Sequence, residues 1–270
     1  MMKKKKHSHG FDFLFEILGL GFFIGIWILI SFCFKNNGNF LFPDPIDTFS
    51  RLSDCFLKET SKTFVAIGWS LLRILIGWLS SFLIAAILGT LAALFPFCHH
   101  FLKPTLTIFR CIPTVAIVII LSGIFLSYQG LPDYIPSFLV FLVAFPLIYE
   151  AFFSGISNES TEIKNSLDLE GGYRTFRAVR KVLWPDAFPY IALAATQSFG
   201  LSVKVAIMSE VITNNSSSHS GIGTLISISR SFVDMESVMA YSAIAVLIVL
   251  IIDLPLLILK RKIKLENRAF

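Results

Sequence analysis

Long apolar runs alternate with short polar segments along almost the whole chain. Six of these runs are near or above the roughly 20 residues that a helix needs to cross a bilayer. They cover residues 13–34, 64–95, 105–126, 134–153, 188–208 and 239–260. Within each run the apolar residues are continuous and do not alternate with polar ones, which favours membrane helices over barrel strands. The pattern therefore predicts an all-α membrane protein with six transmembrane helices.

Two of the polar segments between the runs have a recognisable pattern. Residues 35–62 contain the turn NFLFPDP, after which Ile46, Phe49, Leu52 and Phe56 recur at helical spacing, with Asp44 or Asp47 available as a helix cap. We expect a short amphipathic helix on the outer surface, either a simple linker or a helix with a function of its own. Residues 212–236 hold the polar stretch TNNSSSHSGIG. This stretch is either a plain loop or an outer rim that meets a partner, with Ser220, Gly221 and Gly223 as the candidate residues.

Composition supports a membrane location. Hydrophobic residues make up 55% of the 270 residues, charged residues only 15%, and the mean hydropathy is +0.74. A soluble domain is about 25% charged. The net charge of +5 is gathered in blocks, and we find no basic face interleaved with aromatic residues of the kind that binds nucleic acid. The composition therefore predicts a lipid bilayer as the surroundings and no nucleic-acid partner.

Lysine and arginine are distributed unequally between the two sides that six spans would create. With a cytoplasmic N-terminus, fifteen of the 23 fall on the inner side and five on the outer side. The inner residues are Lys3, Lys4, Lys5, Lys6, Lys103, Lys164, Arg174, Arg177, Arg180, Lys181, Lys260, Arg261, Lys262, Lys264 and Arg268. An excess of positive charge marks cytoplasmic segments. Both termini and residues 155–187 are therefore predicted to be cytoplasmic.

These predictions divide the chain into four parts. Residues 1–12 form a basic cytoplasmic tail, and residues 13–63 form the first span with the outer amphipathic segment. Residues 64–260 form a five-span core that includes the cytoplasmic segment 155–187, and residues 261–270 form a second cytoplasmic tail.

We find no catalytic motif in the chain. It lacks the GxxxxGK[ST] phosphate loop, the HExxH zinc motif and the GxSxG nucleophile motif. Its four cysteines have no paired or CxxC spacing. The sequence therefore predicts no enzymatic activity, no metal site and no cofactor.

The fifth apolar run is the most polar of the six, because it carries Gln197, Ser198, Ser202 and Lys204 and is followed by Glu210. Polar side chains within a bilayer must face protein or water. Gln197 and Lys204 are about two helical turns apart and so share one face. We interpret these five residues as a candidate translocation path, with helix–helix hydrogen bonding as the alternative. Lys204 would pair with an acid such as Glu210 of the same or a second copy, contact an anionic solute, or extend to the outer interface.

The segment from Ser166 to Pro189 reads SLDLEGGYRTFRAVRKVLWPDAFP. We expect a short helix, a double glycine and then a basic helix that Pro185 ends before the next span begins. Gly171 and Gly172 can adopt backbone angles closed to other residues, which allows two helices to turn sharply. Val182 and Pro185 follow Gly172 by ten and thirteen residues.

From about Phe42 onward the chain resembles the membrane subunit of a binding-protein-dependent ABC importer, closest to the nitrate, sulfonate, taurine and thiamine-precursor branch. The resemblance rests on six segments in the same order over about 230 residues. They are LFPDP, SLLRILIGW, IFRCIPTVAI, AFPLIYEAFFSGI, the Gly172–Pro185 segment, and SEVI followed by SGIGTLI. The chain departs from the family at Ser166-Leu167-Asp168, where the family has Glu-Ala-Ala, and at Trp184, where it has Leu.

The resemblance implies a type I ABC importer permease bundle in the cytoplasmic (inner) membrane. It implies ABC ATPase subunits as partners, an extracytoplasmic solute-binding protein, and a second permease copy that forms a homodimer. Closure of the ATPase pair on ATP would move the helix around Leu167–Gly172 as a lever. The residues implied in ATPase coupling are Ser166, Leu167, Asp168, Glu170, Gly171, Gly172, Tyr173, Arg174, Val182 and Pro185.

Two other classes of membrane protein stay open on the sequence, an ion-coupled secondary transporter and a scaffold that does not transport. A secondary transporter is expected to show inverted repeats and membrane-embedded acids, and we find no clear repeat and few central acids. The sequence does not identify the solute.

The charge distribution generates a prediction about topology. In a variant without the native cysteines, a single cysteine at Asn165 should resist an impermeant thiol reagent added to sealed cells, whereas one at Ser217 should react. Reaction of the Asn165 cysteine in sealed cells would reverse the orientation and remove residues 155–187 from the cytoplasm.

Overall fold

The computed structural model describes residues 9–36, 42–125, 131–214 and 219–266, and every regular element in these ranges is helical. The helices are α1 (His9–Asn36), α2 (Pro45–Leu57), α3 (Thr60–Leu94), α4 (Pro96–Cys111), α5 (Thr114–Phe125), α6 (Ile135–Ser157), α7 (Thr161–Leu169), α8 (Phe176–Ala178), α9 (Trp184–Thr213), α10 (Ile222–Ser231) and α11 (Met235–Glu266). A 3₁₀ turn at Leu131–Tyr134 precedes α6, and a π-helical turn at Val179–Leu183 joins α8 to α9. The predicted all-α membrane fold is confirmed.

Within the described residues, four helical segments are long and apolar enough to cross a membrane. They are Thr60–Leu94, Pro132–Ser157, Phe176–Thr213 and Met235–Ile252. The bent pair α4 and α5 would make a fifth span. The first predicted span corresponds to α1, whose Ile24–Lys35 portion is a shorter apolar helix. The predicted count of six is therefore approximate and is reached only when both α1 and the bent pair are included.

The third predicted span, residues 105–126, is not one straight helix. It is broken between α4 and α5, which meet at an angle of 92°. Proline disfavours the helical conformation in the residue before it, and Ile112, which precedes Pro113, is extended with φ −71° and ψ 127°. Pro113 therefore produces a corner, and the third predicted span is a broken pair of helices.

The centre of the bundle depends on close approach between α3 and α6. A Cβ added to Gly77 would lie 2.3 Å from the Ser137 carbonyl oxygen, and one added to Gly89 would lie 2.7 Å from the Phe152 Cβ. Neither distance is possible for real atoms, so glycine is needed at both positions. α6 also packs against α9, and these three helices form the scaffold for the residues discussed below.

The amphipathic segment forms the helix α2, as predicted. Leu52 and Phe56 pack against a core cluster formed mainly by α9, α10 and α11, whereas Ile46 and Phe49 are exposed. Asp44 occupies the N-cap position, but its side chain does not cap the helix. The carboxylate accepts hydrogen bonds from two residues of α1, Ser31 and Lys35. Asp44 therefore attaches α2 to α1.

A charged network fixes α2 to α11. Arg51 donates through Nε to Ser237 Oγ at 2.8 Å and through Nη2 to Glu59 Oε1 at 2.7 Å. Glu59 also accepts from Lys62 at 3.2 Å and from the Tyr241 hydroxyl at 3.3 Å. The hydrogen bonds from Arg51 and Lys62 lower the pKa of the Glu59 carboxyl.

The corner between α10 and α11 has an unusual backbone. Val233 has φ +60°, a left-handed conformation that is rare for a β-branched residue. Asp234 N–H donates to the Ser229 carbonyl at 3.0 Å, which is the hydrogen bond of a helix end that normally carries glycine at the position of Val233. The Val233 side chain is 60% exposed, so packing within the chain compensates little of the strain.

This corner generates a prediction about stability. Val233→Gly should raise the free energy of unfolding by about 0.5–1 kcal/mol, because the relief of left-handed strain exceeds the entropy that glycine adds to the unfolded chain. The midpoint of thermal unfolding of the full-length chain in detergent measures this. Val233→Ala keeps a Cβ and should change the midpoint less. A lower midpoint for Val233→Gly would mean that the valine side chain stabilises the corner.

Candidate functional site

The segment between α6 and α9 presents an exposed surface. Ser160 Oγ caps α7 by accepting from Ile163 N–H at 3.3 Å. No residue of α7 is buried. Two large apolar side chains project from the segment, with Leu169 90% exposed and Phe176 79% exposed. Exposed apolar side chains beside polar ones are typical of a surface that binds another protein.

The double glycine forms the sharp turn predicted from the sequence. Gly171 has φ +125° and Gly172 has φ +109°. Gly172 N–H donates to the Leu167 carbonyl at 2.9 Å, which closes the end of α7. A Cβ at Gly171 would have nothing within 4 Å, and one at Gly172 would meet Thr175 at an ordinary 3.7 Å. The backbone angle, and not lack of space, is therefore what requires glycine at the two positions.

The turn is attached to the body of the protein through Tyr173. Its N–H donates to Asp168 Oδ1 at 2.8 Å, and its hydroxyl contacts the Ile156 carbonyl at 3.4 Å. Leu167 and Tyr173 both pack against the core cluster of α3, α6 and α9. Burial raises the pKa of the Tyr173 hydroxyl. Tyr173 therefore links the end of α7 to the end of α6.

The prediction that Pro185 ends a basic helix was wrong. The helix runs without a break from Phe176 to Thr213, and Pro185 lies in the first turn of α9. Trp184 N–H donates to the Val179 carbonyl across the π turn. Pro185 has no N–H to bond to the preceding turn, and the widened π turn accommodates the proline without stopping the helix. Val182 lies in this turn, half-buried.

The polar residues of the fifth run separate into two groups. Ser198 and Ser202 are buried. Ser198 Oγ accepts from Trp78 Nε1 at 3.0 Å, and Ser202 Oγ donates to the Ser198 carbonyl at 2.7 Å. Both serines therefore satisfy hydrogen bonds on the face of α9 that packs against α3. Gln197 is exposed and lines a cavity described below.

Glu210 is one of the most buried side chains in the described chain, at 1% exposure. Its carboxylate accepts from Arg73 Nη1 at 2.9 Å, from Ser70 Oγ at 2.7 Å and from Gly223 N–H at 3.0 Å. The sequence suggested Lys204 as a cation for Glu210, whereas the structure supplies Arg73. Six residues of helix correspond to about 240° of rotation, so Lys204 and Glu210 lie on different faces of α9.

Arg73 connects Glu210 to two further segments. Its Nη2 donates to the His219 carbonyl at 2.6 Å and lies 3.5 Å from Asp133. The Arg73 carbonyl accepts from Ser137 Oγ at 2.9 Å. We call Ser70, Arg73, Glu210 and Gly223 the Glu210 anchor, because this group joins α3, α9 and α10. The sequence did not identify Arg73 as the partner of Glu210. A base and an acid that both lie within apolar runs are the signal that could have suggested their pairing.

The proposed outer-rim residues lie against this anchor. A Cβ on Gly221 would lie 2.3 Å from Glu210 Oε1, and one on Gly223 would lie 2.4 Å from the Ile207 carbonyl. Both glycines are buried, whereas Ser220 is half-buried. Gly221 and Gly223 are therefore part of the internal packing around Glu210 and are not available to a surface partner.

Lys204 is exposed on the other side of α9. It lines an apolar cavity of about 280 Å³ together with Ile207 and four residues of α11, Ala245, Val246, Val249 and Leu250. Gln197, Leu201 and Lys204 form one exposed stripe along the helix. The predicted common face of Gln197 and Lys204 therefore exists.

A larger cavity of about 600 Å³ opens between α4, α5, α6 and α9. Most of its wall is apolar, and its charged residues are Arg110 and Glu150. Arg110 Nη2 lies 3.5 Å from Glu150 Oε2 and donates to the Pro146 carbonyl at 3.0 Å. Ser154 Oγ donates to Glu150 Oε1 at 3.1 Å. The volume of the cavity is within the range of small-molecule binding sites.

The structure is thus a membrane helix bundle with three distinctive features. They are the exposed turn at Gly171 and Gly172, which we call the elbow, the Glu210 anchor and the open cavity. Residues 81–265 match the family described as the inner membrane component of binding-protein-dependent transport systems. The chain belongs to this family, and it is a permease subunit of an ABC importer, as the sequence resemblance indicated.

Individual relatives agree with this assignment. Bacillus subtilis (strain 168) has a relative named as an aliphatic sulfonates transport permease protein, SsuC, which is 23% identical over 265 residues, covering 97% of this chain and 91% of the relative. A solved structure of the inward-facing MetNI methionine ABC transporter shares the fold, with a TM-score of 0.56 and 17% identity. That alignment covers 74% of this chain and 94% of the MetNI chain.

The Glu210 anchor generates a prediction about stability. Glu210→Ala should lower the free energy of unfolding by about 3–5 kcal/mol, because it leaves the buried Arg73 guanidinium without its counter-charge. Thermal unfolding in detergent and the amount of protein in the membrane measure this. Asp54→Ala is the matched control, since it removes one partner of an exposed ion pair on α2 and should cost less than about 1 kcal/mol. Equal midpoints for the two variants would contradict the anchor.

Proposed function

We propose that this chain passes a small sulfonate-type solute across the cytoplasmic membrane as one of two identical permease copies. Energy comes from ATP hydrolysis on a separate ATPase chain, and an extracytoplasmic binding protein delivers the solute. The match to the family of binding-protein-dependent transport systems supports the assignment of this chain as an ABC importer permease. The similarity to a relative named for aliphatic sulfonates transport favours the solute class.

The observation that carries the coupling role is the exposed elbow at Gly171 and Gly172. α7 buries none of its residues, so it is available to a partner along its whole length. Leu169 and Phe176 offer apolar contacts on either side of the turn. Leu167 and Tyr173 face the opposite way and contact the core cluster. An ATPase that binds the exposed face would therefore move the end of α6 through Tyr173 and Ile156.

The exposed stripe of α9 is the proposed path surface. An amide and an ammonium group are costly against lipid, so Gln197 and Lys204 would face the axis between two copies of the chain. Ser198, Ser202 and Glu210 serve the packing of this helix. The path would thus be lined by the stripe, with the buried residues holding α9 in position.

The orientation follows from the charge bias of the sequence. Residues 155–187 and both termini would be cytoplasmic, and residues 13–63 would cross the membrane once and form the outer helix. The α10–α11 corner would then lie at the extracytoplasmic end of the bundle, where the binding protein approaches. Ser217 lies outside the described residues.

Gly172→Val tests coupling. Because Gly172 has φ +109°, valine should strain or straighten the turn at a cost of about 1–3 kcal/mol. We expect normal amounts of permease in the membrane. Solute-stimulated ATP hydrolysis of the purified complex should fall about tenfold, or the ATPase should be lost from it.

Asn165→Val is the control, because it adds the same side chain to an exposed helical position of α7 and should keep stimulated hydrolysis. Normal stimulation in an intact Gly172→Val complex would place the elbow elsewhere. The absence of any ATPase or ATP dependence in the parent would favour the ion-coupled transporter or the scaffold.

A further inference from the structure

The 600 Å³ cavity holds one positive and one negative group that share a mostly apolar chamber. The side chains of Arg110 and Glu150 are 47% and 46% exposed, so neither is sealed into the protein. At 3.5 Å their contact is longer than a good charge-assisted hydrogen bond. The pair is therefore loosely held compared with the buried Arg73–Glu210 pair at 2.9 Å.

Both groups have hydrogen-bonding capacity left for a ligand. The polar contacts of Arg110 with other described residues use Nη2 alone, and an arginine fork carries five N–H donors. Nε and Nη1 can therefore bind an oxyanion. One carboxylate oxygen of Glu150 accepts a hydrogen bond from Ser154, and the other forms the ion pair with Arg110. Each of the two oxygens can accept a further hydrogen bond.

The charge pattern selects among solutes. A simple anion bound to Arg110 would bring a second negative charge beside Glu150. A simple cation bound to Glu150 would bring a second positive charge beside Arg110. Like charges this close together repel even near a protein surface, where water screens them only in part. A solute with both charges would satisfy both groups, and its short connecting chain would contact apolar walls such as Phe109, Leu147 and Leu201.

We propose that Arg110 and Glu150 form the solute site of this permease and that the site takes a small zwitterion, with its anionic group on Arg110 and its ammonium group on Glu150. Gln197, which lines the same cavity, places the site beside the proposed path. This inference rests on the proposed function and specifies the solute further: an aminoalkyl sulfonate fits the site better than an alkyl sulfonate of the same length.

The test uses the full-length chain in lipid nanodiscs without a binding protein, so that only the permease can discriminate. Equilibrium dialysis compares 3-aminopropanesulfonate, propanesulfonate and propylammonium. We expect the zwitterion to bind about tenfold more tightly than either singly charged probe, because each charge-assisted hydrogen bond that a probe lacks leaves a site group unpaired. Equal binding of the zwitterion and propanesulfonate, or no binding of the zwitterion, would overturn the proposal.

Substitutions of Glu150 and Arg110 test which group binds the ammonium and which binds the sulfonate. Glu150→Gln should bring the zwitterion and propanesulfonate within about twofold of each other, whereas Arg110→Gln should lose both sulfonates. Glu150→Asp provides a second measurement if Glu150→Gln folds poorly, since it withdraws the carboxylate and should reduce the preference. Asp54→Ala, on α2 and outside the cavity, should keep the preference of the parent. An unchanged preference in Glu150→Gln would refute the role of the carboxylate.

The outcomes also separate this inference from the function on which it rests. ATP-driven uptake of propanesulfonate by the complete transporter, combined with no preference for the zwitterion in nanodiscs, would leave the sulfonate permease intact and reject the zwitterion site. Absence of ATP-driven uptake of any sulfonate would reject the sulfonate assignment itself.

Discussion

The buried ion pair between Arg73 and Glu210 is the interaction on which the arrangement of the bundle depends. Removing two charges from water is costly, and the cost is offset only when every donor and acceptor finds a partner. Here Ser70, Gly223 and the His219 carbonyl complete the coordination. Since these partners come from different segments, the charges can be satisfied only when α3, α9 and the start of α10 take one fixed relative position.

The two ends of the bundle differ in physical character. At the end with the Glu210 anchor, the charges of Arg73 and Glu210 are buried and paired at 2.9 Å. Gly221 and Gly223 allow the backbone to approach the Glu210 side chain closely. Towards the opposite end, the Arg110–Glu150 pair is half-exposed beside an open cavity, and α7 projects with no buried residue. A bundle that is rigid at one end and open at the other suits a protein whose helices rearrange about a fixed set of contacts.

Much of the fold follows from local patterns in the sequence. Continuous apolar runs predicted the membrane helices, since a bilayer leaves the backbone no other partner. The double glycine marked the elbow at Gly172, because glycine acts through local backbone angles. The amphipathic helix α2 and the shared face of Gln197 and Lys204 also followed from periodicity, which is a local property.

Which charges meet depends on packing between helices that are distant in the sequence. Glu210 was one candidate partner for Lys204 because the two are near in sequence, yet its partner Arg73 lies 137 residues away. No local pattern encodes that distance. The same holds for Ser198 and Ser202, whose burial depends on α3, and for Arg110 and Glu150, which come from α4 and α6. Pro185 was misassigned as a helix end because a π turn at Val179–Leu183 carries the helix through it. Local rules determine where helices form, whereas long-range packing determines which side chains they bring together.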